Sequence, residues 1–126
     1  MKILVVDDDS ILLEAISFNL KEDGYEVITA NDGFKALDII QRQEHLDLII
    51  SDIMMPNMSG LSLLSLLKKF YFDKVPVILI SSLDKGDVVL SAMKLGAHDF
   101  IVKPFNIDEL SLRVRKLAVK NESVQE

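Results

Sequence analysis

The sequence predicts an α/β fold in which five parallel strands form one sheet with helices on both of its faces. Five short apolar runs alternate along the chain with five segments of helical periodicity, which is the pattern of repeated β–α units. The third and fourth runs are apolar without interruption, as expected for parallel strands that are buried on both sides. Turn residues stand where the helical segments start and stop.

The strands are predicted at residues 3–6, 25–29, 48–51, 77–80 and 100–102. The helices are predicted at residues 11–22, 35–42, 61–70, 87–95 and 107–119. Gly24 and Gly96 each follow a helical segment, where a left-handed residue would end the helix. The turn cluster at residues 31–33 offers an N-cap for the second helix. Asn106 can cap the last helix, with Glu109 three residues later as in a capping box.

Length and composition indicate a single globular domain. The chain has 126 residues, of which 49% are hydrophobic and 27% are charged. We expect one domain over residues 1–119, followed by a frayed polar tail over residues 120–126. The net charge of −6 argues against direct binding to nucleic acid. The apolar run after Lys2 is too short for a signal peptide or a membrane span, so the cytoplasm is the expected location.

Polar side chains follow four of the five predicted strands. Asp7, Asp8 and a further aspartate follow the first strand, and Asp52 follows the third. Ser81 follows the fourth strand, and Lys103 follows the fifth. The carboxyl ends of parallel strands share one edge of the sheet, which is where ligands of such folds bind. Carboxylates gathered there repel one another, and Mg²⁺ with its preference for oxygen ligands would relieve that conflict. The pattern suits phosphoryl transfer, which needs positioning and charge neutralisation.

Four segments carry a resemblance to a known family. They are ILVVDDD, DLIISDIMMPNMSG, PVILISS and GAHDFIVKPF, in that order along the chain. With them, the sequence resembles bacterial response-regulator receiver domains of the chemotaxis-regulator type over nearly its whole length. The resemblance implies a doubly wound, flavodoxin-like (β/α)5 fold with strand order 2-1-3-4-5. It implies a signalling module rather than an enzyme, with slow autophosphorylation from small donors and slow autodephosphorylation.

The resemblance also implies a role for each residue of the acidic cluster. Asp52 would be the phosphoacceptor, which takes its phosphoryl group from a histidine kinase or a histidine phosphotransfer protein. Asp7 and Asp8 would hold Mg²⁺ (or Mn²⁺), directly or through water. Asp52 and the backbone carbonyl of Met54 would complete the protein ligands.

Three further positions match family residues that contact the phosphoryl group or move in response to it. Lys103 would contact the phosphoryl group, and the Lys103–Pro104 bond is cis in the family. Ser81 occupies the place of a Thr or Ser that is drawn toward the phosphoryl oxygens. Phe100 occupies the place of a switch aromatic that turns inward after phosphorylation, so that the last α–β–α surface shifts between two packings.

The first predicted helix carries a second apolar stripe beside the one that faces the core. Ile11, Ala15 and Phe18 form this stripe, which makes the apolar arc wide for a helix that buries one face. Our hypothesis is that these residues dock the four-helix or phosphotransfer domain of a histidine kinase system. The resemblance supports this, because the family's first helix meets such partners.

Two departures from the family bear on the lifetime of the phosphoryl group and on dimerisation. Met54 and Leu83 are apolar at positions where polar side chains can orient the attacking water, which predicts slow loss of the phosphoryl group. Some relatives dimerise through the last α–β–α face by a set of salt bridges. Asp99 and Arg113 keep one pair of that set. At two further positions, however, residues 89 and 98 are valine and histidine. We therefore predict a monomer or a phosphorylation-dependent dimer through that face.

Three alternatives stay open at the level of sequence. The chain could be the detached receiver of a larger transcription factor or enzyme. It could be a receiver-like module that binds partners without being phosphorylated. It could also be a haloacid-dehalogenase-type phosphohydrolase, whose D-x-D is present at residues 7–9 and which would be modified on Asp7. The sequence does not name a downstream effector.

Overall fold

The computed structural model describes residues 1–42, 45–70, 75–82 and 86–125, with side chains described as far as residue 118. The strands are β1 (Lys2–Val6), β2 (Glu26–Ala30), β3 (Leu48–Asp52), β4 (Val77–Ser81) and β5 (Asp99–Val102). The helices are α1 (Ser10–Glu22), α2 (Gly33–Arg42), α3 (Gly60–Phe70), α4 (Gly86–Lys94) and α5 (Ile107–Gln125). Each strand is followed by a helix, as the alternation of periodicities predicts.

All five strands belong to one parallel sheet in the order β2-β1-β3-β4-β5. This confirms the predicted fold and strand order. The register sets Val6 of β1 beside Ser51 of β3, and Asp52 beside Ile80 of β4. Ser81 is set beside Val102 of β5. The carboxyl ends of β1, β3, β4 and β5 therefore meet at one edge, and the first residues after β1 and β5 lie close to the last residues of β3 and β4.

The sheet separates two apolar cores. Successive residues of a strand point to opposite faces, so Ile3 and Val5 of β1 join one core while Leu4 and Val6 join the other. The helices α1 and α5 cover the first face, and α2, α3 and α4 cover the second. Every residue of β3 and β4 is buried, in accord with the apolar runs that open both strands. Burial of each large aliphatic side chain contributes about 1.5–3 kcal/mol to folding.

The predicted helix-capping residues agree with the structure except at one side chain. Gly24 and Gly96 have φ angles of 96° and 99°, the left-handed conformation that glycine adopts without a steric penalty. The Asn106 side chain accepts a hydrogen bond from the Asp108 backbone N–H at 2.9 Å, so it caps α5. Glu109 does not complete a capping box, because its carboxylate pairs with Arg113 at 2.9 Å.

Among the element boundaries that differ from the sequence prediction, three bear on the site or on the C-terminal end. Asp52 and Ser81 are the last residues of β3 and β4 rather than the first residues after them, so strand hydrogen bonding fixes their backbones. The backbone of α5 is helical through Gln125, six residues beyond the predicted end of the last helix. No glycine or proline follows Pro104, and polar residues without a helix breaker can extend a helix that packing has already started. The domain boundary at residue 119 stays a prediction. Within the described part of the chain, no helix has the length and apolarity that crossing a membrane requires.

Candidate functional site

Three carboxylates meet at the shared strand edge. Asp7 and Asp52 are 1% and 5% exposed, whereas Asp8 is open to solvent. One carboxylate oxygen from each of the three lies within 4.8 Å of the other two. Asp7 is held in place from both ends, since its Oδ1 accepts from the Asp9 backbone N–H at 2.9 Å and its own N–H donates to the Ala30 carbonyl at 3.1 Å. The sequence prediction that these residues converge is confirmed geometrically.

Lys103 bridges the two buried carboxylates. Its Nζ donates to Asp52 Oδ2 at 2.9 Å and to Asp7 Oδ2 at 3.2 Å. Its backbone N–H donates to the Ser81 carbonyl at 2.8 Å, which fixes the start of this loop against β4. The Lys103–Pro104 peptide bond is cis, as the resemblance implies. The ammonium group therefore stands between a residue that follows β1 and the last residue of β3.

Burial and neighbouring charges shift the pKa values of Asp7 and Lys103. Burial raises the pKa of Asp7 above its ordinary value of 3.8, and the negative charge of Asp52 raises it further. The Asp9 N–H and Lys103 act in the opposite direction without cancelling the shift. Burial lowers the pKa of Lys103, but its hydrogen bonds to Asp52 and Asp7 and their charges outweigh that effect, so the pKa lies above 10.5. Lys103 is thus charged at neutral pH.

The residues present fit a hard divalent cation. Three carboxylates face one ammonium group, which leaves an excess of negative charge in a place where two of the three are buried. Oxygen ligands of this kind suit Mg²⁺, which binds through one or two carboxylates and keeps part of its water shell. Asp7, Asp8 and Asp52 are the side chains that would hold it.

The loop after Asp52 is shaped by a close approach that sequence reasoning missed. The Met54 N–H donates to Asp52 Oδ1 at 3.3 Å, and the Met54 side chain is 57% exposed beside the acceptor. The Gly60 N–H donates to the Ile53 carbonyl at 2.8 Å, which closes the loop. A Cβ on Gly60 would stand 2.3 Å from the Asp52 carbonyl oxygen, so only glycine fits. Gly60 ends the segment DLIISDIMMPNMSG, and its place in that segment was the only indication of this close approach in the sequence.

Ser81 and Phe100 lie at different distances from the acidic cluster. Ser81 is fully buried at the end of β4, the strand next to β3. Phe100 pairs with Leu79 in the register of β5 and β4, two residues before the level of Ser81. Its ring is half-buried and packs against the core on the α2–α4 face of the sheet. The structure thus brings Ser81 to the site edge and leaves Phe100 on the adjoining strand. Leu83 lies outside the described residues.

The proposed docking stripe on α1 is on the surface. Ile11 and Phe18 are 81% and 68% exposed, and Ala15 is exposed between them. The opposite side of α1 enters the core through Ile16 and its neighbours. Asp9 caps the helix, with Oδ1 accepting from the backbone N–H groups of residues 11 and 12. The exposed stripe therefore begins directly beside the acidic cluster.

The face formed by α4, β5 and α5 carries both charged and apolar groups. Arg113 pairs with Asp99 and with Glu109 inside the chain, which ties α5 to β5. Val89 is half-buried, and His98 is exposed with Nδ1 accepting from the Val77 N–H at 3.4 Å. Several large apolar side chains of these three elements are exposed, namely Leu90, Met93, Val102 and Leu112. Dimerisation through it stays a prediction.

Comparison with known proteins identifies the family to which these features belong. A family model described as the response regulator receiver domain matches residues 3–115. The probable transcriptional regulator ycf27 of Cyanophora paradoxa is 40% identical over 124 residues, which are 97% of this chain and 50% of that protein. The chain therefore spans half the length of this curated relative.

Solved structures agree in fold and in sequence. The receiver domain of the Francisella response regulator 1452 superposes with a TM-score of 0.89 at 38% identity, covering 95% of this chain and 98% of that one. The Thermotoga maritima response regulator TrrA, solved in complex with Mg²⁺-BeF, superposes with a TM-score of 0.81 at 38% identity. That match covers 92% of this chain and 97% of TrrA.

Proposed function

Because the chain belongs to the family of response regulator receiver domains, we propose that it is a phosphorylation-controlled switch whose phosphoacceptor is Asp52. The phosphoryl donor would be a histidine kinase or a histidine phosphotransfer protein. The observation that carries the proposal is the bridging ammonium group of Lys103, 2.9 Å from Asp52 and 3.2 Å from Asp7. It supplies positive charge where phosphoryl oxygens would arrive, and it does so at a buried carboxylate.

The proposed reaction is a transfer between two nucleophiles. A carboxylate oxygen of Asp52 forms a bond to phosphorus while the bond from phosphorus to the donor's imidazole nitrogen breaks, and the freed nitrogen takes a proton. The product on Asp52 is an acyl phosphate. Mg²⁺ held by Asp7, Asp8, Asp52 and the Met54 carbonyl would neutralise charge on the phosphoryl oxygens. Lys103 donates to one of those oxygens in place of its present bond to Asp52 Oδ2.

The output would follow from the contacts that the acyl phosphate gains. New acceptor oxygens at Asp52 would draw the hydroxyl of Ser81 and leave room for Phe100 to pack inward. The half-buried position of the Phe100 ring supports this, because the side chain has core on one side and solvent on the other. Phosphorylation shifts the equilibrium between the two packings only if the phosphoryl group makes more favourable contacts in one of them. A difference of about 1.4 kcal/mol between the two shifts that equilibrium tenfold.

The donor would dock on the exposed stripe Ile11, Ala15 and Phe18, which starts beside the acidic cluster. Phe18→Ser should slow transfer from the cognate donor at least tenfold while labelling by acetyl phosphate stays at the wild-type rate. Phe70→Ser is the matched control, since Phe70 is 57% exposed on α3. Equal transfer rates in Phe18→Ser and wild type would refute the docking surface.

The acyl phosphate would be long-lived. The apolar Met54 side chain next to the acceptor cannot orient an attacking water, and Leu83 is the second apolar position of this kind. Met54→Asn should therefore shorten the half-life of the acyl phosphate several-fold. Wild-type protein that loses its label within seconds at neutral pH contradicts the proposal.

Mass spectrometry after exposure to acetyl phosphate and Mg²⁺ tests the function directly. One added phosphoryl group is expected on Asp52, with none in Asp52→Asn. A label on Asp7 instead would indicate the haloacid-dehalogenase-type phosphohydrolase. No label in any variant, with donor protein also tried, would indicate a module that binds without being phosphorylated. Omission of Mg²⁺ should abolish labelling of the wild type.

We propose that the output acts through the face formed by α4, β5 and α5, on a separate effector or on an attached one. The relative named as a probable transcriptional regulator is twice as long as the matched region, which favours attachment to an effector in at least some relatives. The intact mass of the protein isolated from its source distinguishes the two arrangements. Cytoplasmic location and the absence of direct nucleic acid binding stay predictions, as does the monomer or phosphorylation-dependent dimer.

A further inference from the structure

The acceptor loop, defined here as residues 53–59, is supported from a second β–α unit. Gly33 begins α2, and its backbone lies against Met58 of the loop. A Cβ on Gly33 would stand 2.6 Å from Met58 Cβ and 3.0 Å from both its Cγ and its carbonyl oxygen. Carbon atoms in good contact are about 3.5–4.0 Å apart. One methyl group therefore does not fit between these two segments.

The Gly33 side of this contact is fixed. The Asp32 side chain caps α2 by accepting from the Lys35 N–H at 2.7 Å, and the Asp32 carbonyl accepts from the Ala36 N–H at 3.1 Å. The end of the preceding strand is tied to the site itself, because the Ala30 carbonyl accepts from the Asp7 N–H. A shift of Gly33 relative to the rest of α2 would disturb the two cap bonds, and the Ala30–Asp7 bond limits movement of the strand end that leads into α2.

The Met58 side is the part that can move, and it belongs to a short closed loop. The Met58 N–H donates to the Pro56 carbonyl at 2.8 Å, and Asn57 between them has a φ of 73°. The Gly60 N–H closes the loop on the Ile53 carbonyl at 2.8 Å. Met54, near the other end of the same short loop, donates its N–H to Asp52, so a shift at Met58 has a short path to the acceptor.

We infer that Gly33 is a positioning residue for the cation and phosphoacceptor site, acting through Met58. The contact between them sets the separation between the Asp7 side of the site and the Met54 side. These two sides would share one Mg²⁺, so their separation controls its affinity. The inference rests on the proposed function for the identity of the cation, but the contact itself is independent of phosphorylation.

Gly33→Ala should weaken Mg²⁺ binding about tenfold or more, because changes outside the ligand set that misplace ligands have effects of this size. Titration calorimetry with MgCl₂ measures the affinity, and labelling by acetyl phosphate at saturating Mg²⁺ is the second readout. Gly86→Ala is the matched control. Gly86 is also the first residue of a helix, but an added Cβ there meets nothing within 4 Å. Its Mg²⁺ affinity should equal that of wild type.

A rescue variant separates positioning from simple destabilisation. Met58→Gly removes the Cβ and Cγ atoms that the new methyl group would meet. Gly33→Ala combined with Met58→Gly should therefore bind Mg²⁺ more tightly than Gly33→Ala, although the 3.0 Å approach to the residue-58 carbonyl oxygen remains. This holds whether or not Gly33→Ala alone is stably folded. Wild-type affinity in a folded Gly33→Ala protein overturns the inference, and so does a double variant that binds as weakly as Gly33→Ala. If wild type binds Mg²⁺ but is never phosphorylated, the proposed function fails while this inference stands.

Discussion

The helices α1 and α4 lie on opposite faces of the same sheet and are packed against it very differently. In α1, Leu13, Ile16, Ser17 and Leu20 are buried, whereas Ala92 is the buried residue of α4. The unit β1–α1 carries Asp7 and Asp8, while α4 lies between β4 and β5, which lead to Ser81 and Lys103. Two of the proposed cation ligands, Asp7 and Asp8, thus belong to the unit with the tightly packed helix, and Ser81 and Lys103 belong to the strands on either side of the loosely packed helix in the sequence.

The difference has a physical consequence for switching. Local opening costs less free energy where fewer apolar side chains are buried. A phosphoryl group can shift an element only if the free energy of its alternative packing lies within a few kcal/mol of that of its present packing. The loosely packed unit around α4 meets that condition better than α1, which the side chains of Asn19, Ser111 and Asp23 also tie to α5. A rigid ligand frame and a movable output surface are therefore separated within one domain.

The largest expected effect is on global stability. Ile16→Ala removes a fully buried side chain from α1 and should lower the free energy of unfolding by about 3 kcal/mol. Leu90→Ala removes a side chain of α4 that is 55% exposed and should change it by less than about 0.5 kcal/mol. Urea unfolding followed by circular dichroism measures both. Similar losses of unfolding free energy in the two variants would contradict the difference in packing between α1 and α4.

Hydrogen exchange tests the same contrast without a substitution. The backbone amide of Ala92 in α4 should exchange at least tenfold faster than that of Ile16 in α1, a difference of about 1.4 kcal/mol in opening free energy. Nuclear magnetic resonance measures both rates in one sample. If Ala92 is protected as strongly as Ile16, α4 is not the readily displaced element.

The tightly packed side also holds a charge conflict that the cation would relieve. The pKa of Asp7 is raised, so its ionised form costs stability at pH values above that pKa. Asp7→Asn should therefore raise the free energy of unfolding in EDTA at neutral pH. The gain should shrink as the pH falls through the raised pKa, because wild-type Asp7 then becomes neutral as well. Urea midpoints at several pH values measure this, and a gain that grows on acidification would contradict it.

The smallest effect concerns the pair that ties α5 to β5. Arg113→Ala should lower the free energy of unfolding by about 0.5 kcal/mol and by less at high salt, since Arg113 and Asp99 are each about one-third exposed. Arg42→Ala is the control, because its pair with Asp38 is largely exposed. Unfolding curves at low and high salt measure both. An equal loss in the two variants would mean that the Asp99 pair contributes no more than a largely exposed ion pair.

Local features were predictable where the signal is local. The unbroken apolar runs of β3 and β4 reported burial on both sides, and Gly24 and Gly96 reported left-handed helix ends. Glu109 was not predictable, because a capping box and an ion pair with Arg113 compete for one side chain and the helix packing chose the ion pair. The length of α5 was also missed, since polar residues without a breaker carry no stop signal.

The sequence by itself determined which chemical groups meet at the site. Asp7, Asp52 and Lys103 each stand at the carboxyl end of a strand, and a parallel sheet brings those ends to one edge whatever the details of packing. Only the tertiary structure decided that one ammonium group bridges two buried carboxylates and that Gly33 leaves no room for a methyl group against Met58. These are distances between segments far apart in the chain, and packing sets them to a precision that periodicity and turn signals do not encode.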